Sequence, residues 1–283
     1  MGPDHRFPAP AKLNLFLHVT GRRASGYHDI QTLFQLLDWG DEVRIRLRDD
    51  GLVRRVRALP GVDEPDDLSI RAARELQAAC NVRLGAAIEV LKRIPMGAGL
   101  GGGSSDAATV LHALNRLWDC RLSQDDLARL GAKLGADVPV FVRGRSAWAE
   151  GIGDRISPVE LGERWYVLLT PGVPVDTAEL FSAPELVRDT AVIEPGDFSF
   201  ERTHNAFQDI ALARHEGLRN MLSGLADTGD WRMTGTGSAF FLRAPDEKFA
   251  RRTAHALKSL YNVRAVRGVD WSPLVFPADF GAS

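Results

Sequence analysis

Between Pro95 and Ser105 the chain places five glycines in eleven residues, at positions 97, 99, 101, 102 and 103. Glycine costs backbone entropy inside any regular element, so a run this dense is neither helix nor strand interior. Before it, Ile88 and Val90 flank Glu89 in the alternation of a strand. After it, from Ser104 onward, Ala107, Val110, Leu111, Leu114 and Trp118 recur on one helical face. A strand, a glycine loop and a helix in direct succession suit an anion. Glycine lets backbone N–H groups approach a ligand closely, and the free N–H groups and dipole of a helix start favour negative charge. Ser104 and Ser105 add hydroxyl donors. A flexible linker rarely joins strand to helix so tightly, so the pattern predicts a phosphate cradle. The two common phosphate loops fit poorly. No lysine follows the glycines as G-x-x-x-x-G-K-[ST] demands, and G-x-G-x-x-G can be laid only loosely on Gly97, Gly99 and Gly102. The hairpin-like N-terminus also lacks the βαβ unit of a dinucleotide fold.

The remaining pattern predicts an α+β layered fold. Leu13, Leu15, Leu17 and Val19 alternate with Lys12, Asn14, Phe16 and His18, which puts Lys12 and Asn14 on one strand face roughly 7 Å apart. Ile30 to Leu37 reads as a second strand. Val43, Ile45 and Leu47 alternate with arginines, and the Asp49-Asp50-Gly51 turn leads to Arg54–Arg57, which predicts a hairpin with a solvated basic face. Asp67 can cap a helix reaching about Cys80, and Ser123-x-x-Asp126 resembles a capping box opening a helix that stops at Gly135. Val138 to Val142 reads as an apolar strand. Further on come a Trp165–Leu169 strand, the glycine-rich stretch Thr234–Ser238, a Phe240–Leu242 strand, a helix over Glu247–Leu260 and a strand over Val263–Val266.

Composition removes several function classes. A length of 283 residues suggests about two domains, divided here near residue 155, with ample core and no need of disulfides. Acidic residues number 37 against 35 basic ones, so no basic excess argues for nucleic-acid binding. The two cysteines, Cys80 and Cys120, have no metal-ligand spacing and read as thiols of a reducing cytosol, and no H-E-x-x-H occurs. No apolar stretch approaches the ~20 residues of a membrane helix. Asp4 and three prolines within the first ten residues argue against a signal peptide, so the expectation is a cytoplasmic protein without membrane contact.

Pro95-Met96-Gly97-Ala98-Gly99-Leu100-Gly101-Gly102-Gly103-Ser104-Ser105-Asp106-Ala107-Ala108 resembles the phosphate loop of the GHMP superfamily, named for galactokinase, homoserine, mevalonate and phosphomevalonate kinases. Pro10-Ala11-Lys12-Leu13-Asn14-Leu15 resembles its first motif, and Thr234-Gly235-Thr236-Gly237-Ser238-Ala239 its third. Gly26-Tyr27-His28, Gln31-Thr32-Leu33-Phe34 and Leu134-Gly135-Ala136-Asp137-Val138-Pro139-Val140-Phe141 are similar to the branch that phosphorylates the 2-hydroxyl of a cytidyl diphosphate-linked methylerythritol in non-mevalonate isoprenoid synthesis. The resemblance covers most of the chain and fades at the ends and between about 184 and 230.

That resemblance implies a two-domain fold: a ribosomal-protein-S5-domain-2-like nucleotide domain over 1–155 and a ferredoxin-like α/β domain over 156–283 that completes the substrate cleft. It implies ATP with magnesium, held by residues 95–105 (Pro95, Met96, Gly97, Ala98, Gly99, Leu100, Gly101, Gly102, Gly103, Ser104 and Ser105), with Lys92 near the adenine. Asp137 takes the place of the catalytic base and Lys12 that of its orienting partner; from position alone, Asp137 could equally brace a turn. Tyr27 and Phe181 are implied to sandwich cytosine, His28 to bond its polar edge, and Asn14, Thr177, Gly235, Thr236 and Gly237 to contact substrate. Which side chain, if any, ligates magnesium stays open, as does the oligomeric state. Asp67 stands where relatives often carry an asparagine beside the base, and the stretch Asn81–Gly85 is shorter than in some of them. Another small-molecule kinase of the superfamily and a non-catalytic nucleotide sensor are the alternatives.

Overall fold

The computed structural model describes residues 3–274. Its elements, in chain order, begin with β1 (His5–Arg22), β2 (His28–Arg48), β3 (Val53–Arg55), α1 (Leu68–Cys80) and β4 (Gly85–Leu91). Then follow α2 (Gly102–Leu117), α3 (Gln124–Ala132), α4 (Val138–Arg143), β5 (Ala147–Gly151) and β6 (Arg155–Pro158). The chain continues through β7 (Arg164–Leu169), α5 (Thr177–Ser182), α6 (Gln208–Arg214) and α7 (Glu216–Ser223). The last elements are β8 (Trp231–Met233), β9 (Phe240–Ala244), α8 (Glu247–Leu257) and β10 (Val263–Val269). The expected α+β class is what the chain adopts.

β2 organises the sheet. The segments expected as separate strands at Ile30–Leu37 and Val43–Leu47 are one continuous strand, paired antiparallel to β1 along its length. Gly40 allows this continuity, because a Cβ there would lie 2.0 Å from the Ala9 carbonyl oxygen. The opposite edge of β2 is shared by β5 at residues 30–34, β10 at 36–37 and β4 at 42–48, all antiparallel. Beyond β10 the order runs β7, β9, β8. The hairpin expected at Asp49–Gly51 does not pair β2 with the arginine-rich strand. β4 stands between them, parallel to β3, and α1 supplies the crossover that a parallel pair requires.

Helices α1 to α4 cover one face of the sheet, where Ile70, Leu76, Val110, Leu111, Leu114 and Phe141 pack on Ile45 and Ile88. Around β7 and β9 the two-residue period of a strand feeds two cores. Val167, Leu169, Phe240 and Leu242 join Phe207 and Leu218 on one face, while Tyr166, Leu168 and Phe241 join Leu13, Phe16 and Leu37 on the other.

The capped helix starts read from the sequence hold, though α3 ends at Ala132 instead of Gly135 and α8 at Leu257 instead of Leu260. Asp67 caps α1 by accepting from Ser69 N at 2.9 Å, and Ser123 with Asp126 forms the capping box of α3. One element is corrected. Val138–Val142 is a helix, not a strand: Pro139 occupies its first turn and Gly144 closes it at a φ of 62°. The apolar run misleads because α4 packs against both α2 and α3, so Val138, Val140, Phe141 and Val142 are all buried and no polar face betrays the helical period. Among the described residues no helix is long and apolar enough to cross a membrane.

Candidate active site

The glycine run connects β4 to α2 as expected. Gly97, Gly99 and Gly101 take φ values of 66°, 73° and 72°, in the left-handed region that glycine enters without strain. Gly101 is the N-cap of α2 and offers no side chain, so the N–H groups of the first turn are left for a ligand. Two residues earlier than read from the sequence, α2 begins at Gly102, which turns the triple glycine into the helix start itself.

β1 delivers Lys12 to this loop, with the Lys12 N–H donating to Leu100 O at 3.1 Å. The Lys12 ammonium is buried, donates to Asn14 Oδ1 and to Gly99 O at 2.9 Å, and stands 3.4 Å from Asp137 Oδ2. Lys12 and Asn14 thus share a strand face, as the alternation predicted. Asn14 is pinned in turn, donating through Nδ2 to Thr32 Oγ1 at 2.9 Å and through its backbone N–H to Thr234 Oγ1 at 2.8 Å. Asp137 is the N-cap of α4, yet its carboxylate makes no capping bond. It remains 36% exposed and faces Lys12, so it is open to a ligand.

The second glycine stretch closes on the first. Ala239 N donates to Ala98 O at 3.1 Å, and a Cβ on Gly235 would lie 2.9 Å from Gly99 Cα. Asn205 holds this second loop by donating to Met233 O at 2.7 Å and Gly235 O at 2.8 Å. Thr236 reaches α5 through a 2.7 Å hydroxyl contact with Thr177. Together the two loops, Lys92, Ser104, Thr177 and the start of α1 around Asp67 line a cleft of about 390 Å³. Asp67 is turned inward to its cap and to Arg55 at 3.4 Å.

Lys92 carries charges of its own to satisfy. Its ammonium lies 2.5 Å from Asp41 Oδ2 and 2.8 Å from Asp106 Oδ2, both buried. Burial alone would lower the lysine's pKa, but the two carboxylates more than offset this and raise it. Burial pushes the Asp106 carboxyl up, with Lys92 opposing. Asp41, Asp106 and Asn205 escaped the sequence reading. For Asp106 there was a signal, a carboxylate amid the small apolar residues of α2; Asp41 and Asn205 sit in segments without pattern.

Of the residues expected around a base, His28 and Phe181 come together, and Tyr27 stands apart from them. The rings of His28 and Phe181 lie 5.2 Å apart at 34°, and Phe181 meets Phe207 edge-on at 4.7 Å. Tyr27 is 65% exposed and lines a neighbouring groove with Ala136 and Pro139, the residues flanking Asp137 and Val138. Burial, then Arg188 and Arg22, lower the pKa of His28.

Residues 67–145 match the family model described as the GHMP kinases N terminal domain. A protein of Xanthomonas euvesicatoria pv. vesicatoria, "4-diphosphocytidyl-2-C-methyl-D-erythritol kinase", is 50% identical over 275 residues, covering 96% of this chain and 93% of its own. The protein of that name from Aromatoleum aromaticum is 50% identical over 267 residues, 94% of each chain. A crystal structure of 4-(cytidine 5'-diphospho)-2C-methyl-D-erythritol kinase superposes with a TM-score of 0.82 at 34% identity, over 94% of this chain and 100% of the other. Homoserine kinase from Cytophaga hutchinsonii shares the fold, with a TM-score of 0.71 at 17% identity over 96% of each chain.

Proposed function

The chain belongs to the 4-diphosphocytidyl-2-C-methyl-D-erythritol kinase family of GHMP kinases, and from that membership we propose that Lys12 and Asp137 carry phosphoryl transfer from ATP to the 2-hydroxyl of 4-diphosphocytidyl-2-C-methyl-D-erythritol. The activity is ATP-dependent phosphorylation in the methylerythritol phosphate route to isoprenoids. The observation that carries the residue assignment is the buried Lys12 ammonium, 2.9 Å from Gly99 O in the phosphate loop and 3.4 Å from the exposed side of Asp137. Among the described residues, this one cation touches both the nucleotide cradle and the carboxylate of Asp137.

In this reading Asp137 accepts the proton of the acceptor hydroxyl while the hydroxyl oxygen attacks the γ-phosphorus. The bond from that phosphorus to the β–γ bridging oxygen breaks and ADP leaves. Phosphoryl transfer passes through a loose transition state, so Asp137 chiefly positions the hydroxyl and takes its proton late. Lys12 holds the carboxylate and offsets charge on the moving phosphoryl group, and the N–H groups at the start of α2 cradle the phosphates. Magnesium would arrive chelated by ATP. The cleft would offer it a hard oxygen donor in Ser104, whose hydroxyl lies beside Gly135, which suits that ion. When bound, it supplies neutralisation of phosphate charge. Lys92 and Asp106 line the cleft beside the nucleotide, with Asp41 buried behind Lys92. Thr177, Thr236, Gly235 and Gly237 close the substrate side, Asn14 reaches the acceptor, and Tyr27 and Phe181 stack on cytosine while His28 bonds its edge. A division near residue 155 assigns phosphates mainly to the first unit and the cytidyl group to its junction with the second.

The test is ADP release coupled to consumption of the cytidyl substrate. Turnover should depend on that substrate and fall when a cytidine nucleotide competes for the His28 pocket. Equal turnover of homoserine or mevalonate, insensitive to cytidine nucleotide, would overturn the substrate assignment.

A further inference from the structure

Arg188 stands behind the base pocket, outside the phosphate cleft. Its Nη1 donates to Leu186 O at 3.0 Å, its Nη2 to Phe181 O at 3.1 Å and Ala183 O at 2.7 Å, and its Nε to Nε2 of His28 at 3.0 Å. A guanidinium has five N–H donors, no acceptor, and stays protonated. The imidazole nitrogen facing it, Nε2, must therefore present a lone pair. In a neutral imidazole the other nitrogen then carries the proton. That nitrogen, Nδ1, makes no hydrogen bond among the described residues. The same arginine binds the carbonyl of Phe181, whose ring packs on His28, so one side chain fixes both the stacking partner and the polar edge.

We infer that Arg188 is a specificity-determining residue: it locks His28 in the tautomer whose free nitrogen donates, so the pocket selects a pyrimidine with an acceptor at ring nitrogen 3, cytosine, over uracil, which carries N–H there. The inference rests on the reading above that His28 meets the base edge. A donor set against a donor leaves two desolvated polar groups unpaired, the kind of mismatch by which binding sites reject near-isosteres most strongly. Histidine by itself would not discriminate, because the opposite tautomer accepts from uracil as readily as this one donates to cytosine. Arg188 touches neither the base nor the reacting atoms, and acts as a positioning residue through His28.

Imidazole nitrogen NMR on the full chain labelled with ¹⁵N-histidine reads the tautomer directly. His28 should carry its proton on Nδ1 in the wild type and lose that preference in Arg188→Met. The ratio of kcat/KM for the cytidyl substrate to that for its uridyl analogue should fall tenfold or more in the variant, through KM, with kcat on saturating cytidyl substrate within threefold. A proton on Nε2 in the wild type, or an unchanged ratio in Arg188→Met, overturns the inference. Should the variant fail to unfold cooperatively, the wild-type spectrum decides. His28→Ala separates the two layers: it should raise the cytidyl KM tenfold or more, and an unchanged KM would sink the pocket reading itself, which a wrong tautomer would not.

Discussion

A Cβ on Gly99 would lie 2.1 Å from the carbonyl oxygen of Thr234, so the two glycine loops meet backbone to backbone. Gly99 also holds a φ of 73°, which adds strain for any other residue. Gly99→Ala should cost about 2 kcal/mol or more in urea unfolding and reduce ADP release more than tenfold. A variant with wild-type midpoint and rate would mean that the loops separate freely.

Asp137→Asn keeps the shape of the carboxylate and removes its basicity. Because Asp137 makes no capping bond and is 36% exposed, and the amide oxygen can still accept from Lys12, the stability loss should be about 1 kcal/mol while kcat falls about 10²- to 10⁴-fold. Lys12→Met should lower kcat comparably. Turnover of Asp137→Asn within tenfold of wild type would remove the aspartate from the chemistry.

Lys92→Met tests whether that lysine shapes the cleft wall. It would leave Asp41 and Asp106 buried at their present positions without a cation. Breaking such a cluster from one side typically costs about 3–5 kcal/mol, to be read from denaturant midpoints. A Lys92→Met protein of normal stability but raised ATP KM would make the lysine a nucleotide contact alone.

His18 gives the fold a dependence on pH. Its ring is buried, its Nδ1 lacks a partner among the described residues, and burial, then His204 and Arg232, hold its pKa down at about 4. Unfolded, it titrates near 6.5. Between those values the unfolded chain binds a proton that the native chain refuses, so stability drops as pH falls through that window, by roughly 3 kcal/mol at full extent. Below about pH 4 this residue costs nothing more. His204, its neighbour at 4.5 Å, also has a lowered pKa and adds to the trend. Urea unfolding from pH 4 to 7 should show a shallower slope in His18→Asn; parallel slopes would contradict this.

Local patterns were legible wherever one face of an element meets solvent or a cap is present. The alternation in β1 placed Lys12 beside Asn14, and Asp67 and Ser123 marked true helix starts. Burial on every side erased the period of α4, and a pairing between β4 and β3 cannot be read from a turn at Asp50 that suggests a hairpin. The Lys12–Asp137 pair joins β1 to the start of α4, so spacing alone could not assign it. The resemblance pointed to those two residues; the fold supplies their contact. Asn205 and Arg188 lie in the stretch where the resemblance fades and where irregular backbone carries no periodic signal.

The bond between the Thr234 hydroxyl and Gly99 O spans 135 residues of sequence, at 3.4 Å. During synthesis the phosphate loop and α2 therefore leave the ribosome long before the segment that braces them has been made. A growing chain can fold its first helices and still own no finished nucleotide site. Competence to use ATP waits until Thr234 has emerged, well after the phosphate loop and α2.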